Sequence, residues 1–242
     1  MHLLLCPDHA YLWWIETGGL APLGQFTTFK DNAPELLSRS LRSDQVIYCS
    51  PLVDPYQPAE ESEQMMPRLL DAFLDQPPRT LAIQTRGPLI LRDLEKLATL
   101  AQRTRLRVSF SLTTDREDIR RLYEPLCAPL DQRLTAMRHL RAAGIPTYAT
   151  LAPLLPGNPE ALLDMALEAT TSDVIGDPFH VRAVKTSGAT TREPALLISE
   201  RNGYSAWHDP EFQAEIVARL RARACAAGRN FAAGIAGFRL LV

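Results

Sequence analysis

Cysteine is scarce in this chain, and no two cysteines form the CxxC pair that is typical of metal and redox sites. The 242 residues contain four, Cys6, Cys49, Cys127 and Cys225, all far apart in the sequence. A chain of this length buries a core large enough to fold without disulfide bonds. We therefore expect one domain with reduced thiols, and a disulfide framework is excluded as the basis of the fold.

Long apolar runs and a strong net charge are also absent. No segment approaches the roughly 18 consecutive apolar residues that would span a bilayer, and the opening MHLLLC is too short and uncharged for a signal peptide. We therefore expect a soluble cytoplasmic protein without a membrane partner. The 26 Lys and Arg residues against 28 Asp and Glu residues give a net charge of −2, so the overall charge indicates no particular partner.

Short apolar segments alternate with helical patterns along most of the chain. The predicted strands are 2–5, 45–50, 80–85, 107–114, 147–154 and 173–179. The predicted helices are 33–42, 62–76, 91–103, 116–123, 130–143 and 158–171. This alternation predicts an α/β fold in which helices connect parallel strands, as a sheet or a barrel. The loops that follow the strands meet at one edge in such folds, and we expect the functional site there.

Several linked motifs give the chain a family resemblance. IYCSPLVDPYQPAE (47–60), LRDLEKLATL (91–100) and the run from 108 to 157, with its SLTT strand end and AGIP and APLLPG segments, occur in this order. In these motifs the chain resembles the radical S-adenosylmethionine (SAM) superfamily, in the branch related to spore photoproduct lyase. The resemblance implies a partial (β/α)6 TIM-like barrel of the radical SAM type. We expect this barrel to cover 1–180, with a small C-terminal extension over 181–242 packed on the same domain.

The same resemblance implies a four-iron four-sulfur cluster, held by a CxxxCxxC motif, with S-adenosylmethionine on its fourth iron and radical chemistry that begins there. Laid on CPDHAYLW, that spacing puts Cys6 first, Ala10 second and Trp13 third. An alanine methyl and an indole offer no lone pair that iron can use. The cluster motif is therefore degenerate, and we expect the activity to be altered or lost.

A mononuclear metal site is one alternative at this place. Cys49 ends the second predicted strand, next to the first, so that Cys6 and Cys49 could approach each other with Asp8, His9 and Asp54 nearby. Two thiolates, an imidazole and a carboxylate suit zinc or iron. The other alternative is that Cys49 is a buried thiol at a strand end.

The resemblance also implies cofactor-binding positions. Ser50 lies at a strand end that faces the methionine part of S-adenosylmethionine, Arg86 stands where relatives carry a lysine, and Ser111 matches a serine that reaches the nucleoside. Asp54 lies in the segment DPYQP, whose two prolines stiffen the loop that presents its carboxylate. Both serines have a structural alternative, since either could cap the loop or helix that follows.

Charged residues near these positions allow structural roles as well. Arg86 could pair with Asp93 or Glu60 instead of a ligand. Glu124 and Arg133 match family positions, and we predict that they form an ion pair that ties one helix to the next.

The segment beyond residue 180 falls outside the resemblance. His180, after the last predicted strand, is a candidate site residue. KTSGATTREP (185–194) predicts a loop, ALLIS (195–199) with the following Asn202-Gly203 predicts a short hairpin, and a helix is predicted from Asp209 to about residue 227. That helix has a basic end, which suggests either phosphate contacts or arginines that complement the helix dipole. These arginines are Arg219, Arg221, Arg223 and, after the helix, Arg229.

Two functions from different classes follow. The first is a radical SAM protein of the lyase-related branch, altered or inactive, with nucleic acid as a candidate partner by resemblance alone. The second is a non-catalytic module that uses the barrel to bind a ligand or a partner protein. The linked motifs favour family membership, whereas Ala10 and Trp13 favour the loss of chemistry.

Overall fold

Six parallel strands form the centre of the part of the molecule that the structure describes. The computed structural model describes residues 30–49, 54–179 and 193–241. The strands are β1 (Val46–Cys49), β2 (Thr80–Thr85), β3 (Arg105–Ser111), β4 (Thr147–Leu151), β5 (Val174–Gly176) and β6 (Phe231–Ala233). They pair in chain order and every pairing is parallel. Within the described residues β1 and β6 are the two edges of this sheet, so it is unclosed there, and the predicted α/β partial barrel is confirmed.

Helices follow each strand, as parallel pairing requires. The α-helices are α1 (Ala33–Ser40), α2 (Glu60–Glu63), α3 (Met65–Asp75), α4 (Leu94–Ala101), α5 (Glu117–Tyr123), α6 (Leu130–Ala142), α7 (Pro159–Ala169), α8 (Glu193–Arg201), α9 (Pro210–Ala226) and α10 (Gly234–Phe238). Short 3-10 turns cover Pro88–Asp93, Ser205–His208 and Arg239–Leu241. No helix in the described ranges combines the length and the apolarity that crossing a membrane requires.

The two faces of the sheet differ in chemistry because side chains alternate along each strand. One face packs against the helices and supplies the main apolar core, with strand residues Ile47, Leu81, Ile83, Leu106, Val108, Phe110, Ala149, Leu151, Val174 and Phe231. The opposite face is largely polar in β1 to β4. There the Tyr48 hydroxyl donates to Gln84 Oε1 at 2.5 Å, the Ser109 and Thr150 hydroxyls lie 2.5 Å apart, and Arg107 donates to the Tyr148 hydroxyl.

The C-terminal residues reach this polar face. Leu241 is fully buried against Ala82 of β2 and Ile175 of β5. Gly237 fits because it has no side chain, since a Cβ there would lie 2.4 Å from the carbonyl oxygen of Ala232. Gly237 and Leu241, in the predicted C-terminal extension, therefore pack on the sheet itself.

The predicted hairpin after residue 194 is wrong. ALLIS lies within α8, and Asn202-Gly203 ends that helix instead of turning between strands. Gly203 has a φ of +76°, and the Tyr204 N–H donates to the Ser199 carbonyl oxygen at 2.8 Å, which is the pattern of a glycine-ended helix.

Two further elements differ from the prediction. The helix predicted over 62–76 is two helices, because Gln64 adopts a left-handed conformation with φ +49° and Glu60 accepts hydrogen bonds from the N–H groups that open α3. The last described strand, β6, was not predicted, and the strand predicted over 2–5 lies outside the described residues. The predicted start of α9 is confirmed, since the Asp209 carboxylate accepts from the N–H groups of Glu211 and Phe212.

Candidate functional site

A buried carboxylate at the carboxyl edge of the sheet lies between two arginines. Glu124, just after α5, places Oε1 at 3.0 Å from Nη1 of Arg86 and Oε2 at 2.9 Å from Nη2 of Arg133. The Thr113 hydroxyl also donates to Oε2 at 2.9 Å. We call Arg86, Thr113, Glu124 and Arg133 the Glu124 cluster. It joins the loops that follow β2 and β3, which is where sites form in parallel α/β folds.

Arg133 anchors this cluster from α6. Its side chain is 1% exposed, and its planar guanidinium matches several acceptors at once. Besides Glu124, it donates from Nε to the Ala128 carbonyl oxygen at 2.8 Å and from Nη1 to the Ser111 carbonyl oxygen at 3.3 Å. The predicted Glu124–Arg133 ion pair is confirmed, and it ties the α5–α6 connection to the end of β3.

The charges of the Glu124 cluster reinforce one another. Burial by itself raises the pKa of Glu124, but Arg86 and Arg133 outweigh it, and the pKa lies below its usual range. Burial lowers the pKa of Arg86, but the Glu124 carboxylate, together with smaller contributions from Cys127 and Asp54, more than compensates and the pKa is raised. Glu124 and Arg86 are therefore ionised at neutral pH, and the Glu124 carboxylate lies between two guanidinium groups.

Arg86 is the member of the cluster that a ligand can reach. Its side chain is 31% exposed at the carboxyl edge, whereas that of Glu124 is 8% exposed. The predicted pairing of Arg86 with Asp93 or Glu60 is wrong. Both of those carboxylates pair with Arg92, at 3.1 Å and 2.9 Å, because the turn after β2 carries Arg92 back towards α2.

Asp54 fixes the backbone on which Arg86 is mounted. Its Oδ1 accepts from the Thr85 hydroxyl at 2.6 Å and from the Tyr56 N–H at 3.0 Å, and its Oδ2 accepts from the Arg86 N–H at 2.8 Å. Thr85 Oγ1 in turn accepts from the Gly87 N–H at 2.9 Å. In this structure Asp54 is a positioning residue for the end of β2, and its predicted contact with a cofactor stays a prediction.

Sequence reasoning missed the buried network around Glu60. Its carboxylate, 2% exposed, accepts from the N–H groups of Met65 and Met66 and from Arg92. Burial, followed by the Asp93 carboxylate, raises the pKa of the Tyr56 phenol. The sequence feature that could have predicted this network is the acidic residue Glu60 shortly before α3, which is a capping pattern. The network is therefore structural.

Ser111 is buried, and its carbonyl oxygen accepts from Arg133. Strand alternation places its side chain on the polar face, with Ser109. The other predicted site residues Cys6, Ser50 and His180 lie outside the described residues, as do Asp8, His9, Ala10 and Trp13. Their roles stay predictions.

Cys49 lies on the helix-covered face of the sheet. It stands in register with Ile83 and packs against the apolar core. Burial, with the nearby Asp54 carboxylate, raises the pKa of its thiol to about 12, so the thiol is protonated at neutral pH. In the part of the chain that the structure describes, no group of three or more His, Cys, Asp or Glu residues could hold a metal ion.

The basic end of α9 is engaged within the chain. Arg219 lies 2.5 Å from Glu160, and Arg223 lies 2.7 Å from Asp164, both on α7. These pairs hold α9 against α7 on the surface, so the two arginines serve packing and need no phosphate partner.

Comparison with curated sequences finds uncharacterized relatives. An uncharacterized protein of Mycobacterium tuberculosis is 31% identical over 157 residues, which cover 62% of this chain and 44% of the relative. An uncharacterized protein of Methanocaldococcus jannaschii is 25% identical over 133 residues, which cover 55% of this chain and 49% of the relative. The matched regions span about half the length of these relatives. No family model matches the chain.

Comparison with solved structures finds spore photoproduct lyase. Its complex with dinucleoside spore photoproduct aligns at a TM-score of 0.54 with 13% sequence identity, over 83% of this chain and 64% of that one. A double mutant with bound AdoMet and dinucleoside spore photoproduct aligns at a TM-score of 0.54 with 14% identity over the same shares. The fold of this chain is therefore similar to the partial barrel of that lyase.

Proposed function

We propose that this chain binds S-adenosylmethionine at the carboxyl edge of a radical SAM-type barrel, and that its radical chemistry is altered or lost. The observation that carries the proposal is the position of Arg86 at the end of β2. Glu124 holds its guanidinium and Asp54 holds its backbone N–H, while the side chain stays partly exposed. The likeness to a lyase whose structure contains AdoMet supports the choice of ligand.

The charge of the Glu124 cluster suits a ligand that carries a carboxylate. Arg86 and Arg133 together offer two positive charges, and Glu124 supplies one negative charge. A second carboxylate at the exposed side of Arg86 would balance the cluster, and a guanidinium binds such a group through two parallel hydrogen bonds. The methionine part of S-adenosylmethionine carries this carboxylate.

The site is also preorganised. Glu124 fixes the Arg86 guanidinium, and Asp54 fixes its backbone N–H, so little side-chain freedom remains to be lost when a ligand binds. The residues present therefore fit the carboxylate of the cofactor.

The iron–sulfur cluster is a separate matter. When bound, such a cluster supplies the electron that cleaves the sulfonium bond. The described residues offer no ligand set for it, and the loop expected to hold it has Ala10 and Trp13 in place of two cysteines. We therefore propose loss or alteration of the radical step and assign no catalytic residue.

A second candidate function is a non-catalytic module that binds a partner protein. Leu126, in the turn between α5 and α6, is 84% exposed beside the Glu124 cluster. Single exposed apolar side chains are common on protein surfaces, so Leu126 alone does not favour this module over the cofactor proposal. Nucleic acid enters only as a candidate, from the ligand named for the lyase structures.

Isothermal titration calorimetry with S-adenosylmethionine tests the proposal. We expect saturable binding to the full chain, at least tenfold weaker in Arg86→Ala and intermediate in Arg86→Lys, which keeps the charge but loses the planar fork. Arg39→Ala is the matched control, because Arg39 is an exposed arginine of α1 in a surface pair with Glu35. Absence of binding in the unaltered protein would overturn the cofactor proposal and leave the partner-binding module.

Iron and sulfide analysis after anaerobic reconstitution tests the second half of the proposal. We expect less than one four-iron cluster per chain, without the broad iron–sulfide absorbance. A stable, stoichiometric cluster would show that other ligands replace the two missing cysteines, and it would overturn the expected loss of the cluster.

A further inference from the structure

Arg120 of α5 is a buried arginine whose guanidinium holds the turn that carries Glu124. Its side chain is 7% exposed. Nη1 donates to two carbonyl oxygens of this turn, to that of Glu124 at 2.8 Å and to that of Cys127 at 2.6 Å. Since the turn between α5 and α6 covers residues 124–128, a single guanidinium nitrogen joins its first and fourth residues.

The rest of the Arg120 guanidinium is fixed by Glu117, one helical turn earlier. Nε lies 2.9 Å from Oε2 of Glu117, and Nη2 lies 2.8 Å from Oε1, which is the two-pronged geometry of an arginine–carboxylate pair. Hydrogen bonds from Arg120 are the main reason that the pKa of Glu117 lies below its usual range. All three nitrogens of the Arg120 guanidinium therefore have an acceptor, and its position is fixed.

Arg133 holds the other end of the same turn. Its Nε donates to the Ala128 carbonyl oxygen at 2.8 Å, and its Nη2 lies 2.9 Å from the Glu124 carboxylate. Within the turn, the Cys127 N–H donates to the Glu124 carbonyl oxygen at 3.0 Å. The turn is thus held by buried arginines at both ends, and its backbone keeps little freedom.

The two residues that Arg120 holds by their carbonyl oxygens are also the two whose side chains contact Arg86. The Glu124 carboxylate lies 3.0 Å from Nη1 of Arg86, and the half-buried Cys127 side chain hydrogen-bonds the same guanidinium. Both partners of Arg86 therefore stand on backbone that Arg120 fixes. A shift of the turn would move them together, and the Arg86 guanidinium with them.

We propose that Arg120 is a positioning residue, which orients the Arg86 guanidinium for the carboxylate of its ligand. The role rests on the proposed binding of S-adenosylmethionine at Arg86. Arg120 does not touch the ligand; it acts through the backbone of Glu124 and Cys127, and its effect on binding therefore requires the Arg86 side chain.

Alkylation of Cys127 by iodoacetamide tests the hold of Arg120 on the turn without any ligand. Burial, followed by the Glu124 carboxylate, raises the pKa of the Cys127 thiol, so labelling of the unaltered protein should be slow. Arg120→Ala should speed it roughly threefold or more, because the turn opens locally more often. Arg121→Ala is the matched control and should leave the rate unchanged, since Arg121 is 73% exposed and pairs with Glu117. Peptide mass spectrometry measures the rates.

Calorimetry with S-adenosylmethionine tests the effect on the ligand. Binding should be roughly two- to tenfold weaker in Arg120→Ala, the cost of ordering a side chain that is no longer held in place, and unchanged in Arg121→Ala. Arg120→Lys, which keeps a cationic donor, should lie between the unaltered protein and Arg120→Ala. In an Arg86→Ala background, Arg120→Ala should weaken binding no further, because the guanidinium that it positions is gone.

The outcomes separate the two proposals. Unchanged labelling of Cys127 or unchanged binding in Arg120→Ala would overturn the role of Arg120. Equal weakening with and without the Arg86 side chain would also overturn it, because Arg120 would then act on the fold as a whole. If the unaltered protein binds no S-adenosylmethionine, the proposed function fails, and the labelling still decides whether Arg120 fixes the turn. If circular dichroism shows that Arg120→Ala does not fold, Arg120→Lys takes its place in each comparison.

Discussion

Oε2 of Glu124 lies 2.9 Å from Nη2 of Arg133, and both side chains are almost completely buried. Arg133 is among the largest fully buried side chains in the described part of the protein. A buried pair of this kind is not a large source of stability, but removing one partner leaves an uncompensated charge in the interior. The pair therefore makes the carboxyl edge sensitive to single substitutions.

Replacing Glu124 by alanine is expected to destabilise the protein by about 3 to 5 kcal/mol, since Arg133 loses its carboxylate while it stays buried. Urea denaturation followed by circular dichroism measures this loss. Glu35→Ala is the matched control, because Glu35 forms an exposed pair with Arg39 and should cost about 0.5 kcal/mol or less. Equal costs for the two variants would show that the buried pair has no special role.

Acid sensitivity follows from the lowered pKa of Glu124, which Arg86 and Arg133 hold down against burial. A carboxyl group with a lowered pKa stabilises the folded state fully above the ordinary Glu pKa of about 4.3, and this stabilisation is lost as the pH falls through the lowered value. The urea concentration at the unfolding midpoint of the unaltered protein should therefore decrease when the pH is lowered below about 4. Glu124→Gln should show a shallower decline over the same range; an identical decline contradicts the assignment.

Local sequence patterns predicted five of the six described strands and missed the strand β6 and the helix α8. β2 matches its predicted range, and β1, β3, β4 and β5 overlap theirs, because apolar runs of five or six residues carry a local signal. β6 (Phe231–Ala233) reads FAA, in which two alanines have low strand propensity, whereas the equally short β5 lies in the apolar segment DVIGDPF. α8 was mistaken for a strand because the apolar run ALLIS fits the periodicity of a helix as well as that of a strand. Asn-Gly is found at helix ends as well as in hairpin turns.

The candidate site was predicted in part. The Glu124–Arg133 pair was predicted from the family resemblance, whereas the pairing of Arg86 with Glu124 was not predicted. Arg86 is 38 positions from Glu124, and the choice among Glu60, Asp93 and Glu124 depends on how the loop after β2 turns, which no local pattern records.

Thiol reactivity should distinguish Cys49 from Cys225. Burial raises the pKa of Cys49 to about 12, and Cys225 is exposed at the end of α9. Because the thiolate is the reactive form, iodoacetamide at pH 8 should modify Cys225 and leave Cys49 unmodified in the folded protein. Peptide mass spectrometry measures both sites, and labelling in guanidinium chloride shows that each can react. Rapid labelling of Cys49 in the folded protein would mean that it faces solvent.

The end of α8 depends on Gly203, whose φ of +76° favours glycine. Gly203→Ala should cost about 1 kcal/mol and speed amide hydrogen exchange in α8, although no atom lies near enough to clash. Gly144→Ala is the matched control, since Gly144 has a φ of +73° and the same open space at the end of α6. It should cost a similar amount without changing exchange in α8. Unchanged exchange in Gly203→Ala contradicts a glycine-ended helix there.

The ring of Phe231 in β6 packs against Gly176 in β5 and fills the space that a side chain at Gly176 would occupy. A Cβ on Gly176 would lie 2.1 Å from Cζ of Phe231, so Gly176→Ala should shift the ring and destabilise the protein by about 1 to 3 kcal/mol. Urea denaturation measures the loss.

Phe231→Leu supplies the control for this clash. Alone it should destabilise the protein, because it leaves part of a buried ring's space empty. Combined with Gly176→Ala, it should cost less than the sum of the two single changes, since the smaller side chain makes room for the new methyl group. Strict additivity would show that the two residues do not compete for the same space, and the close packing of β5 and β6 would then need another explanation.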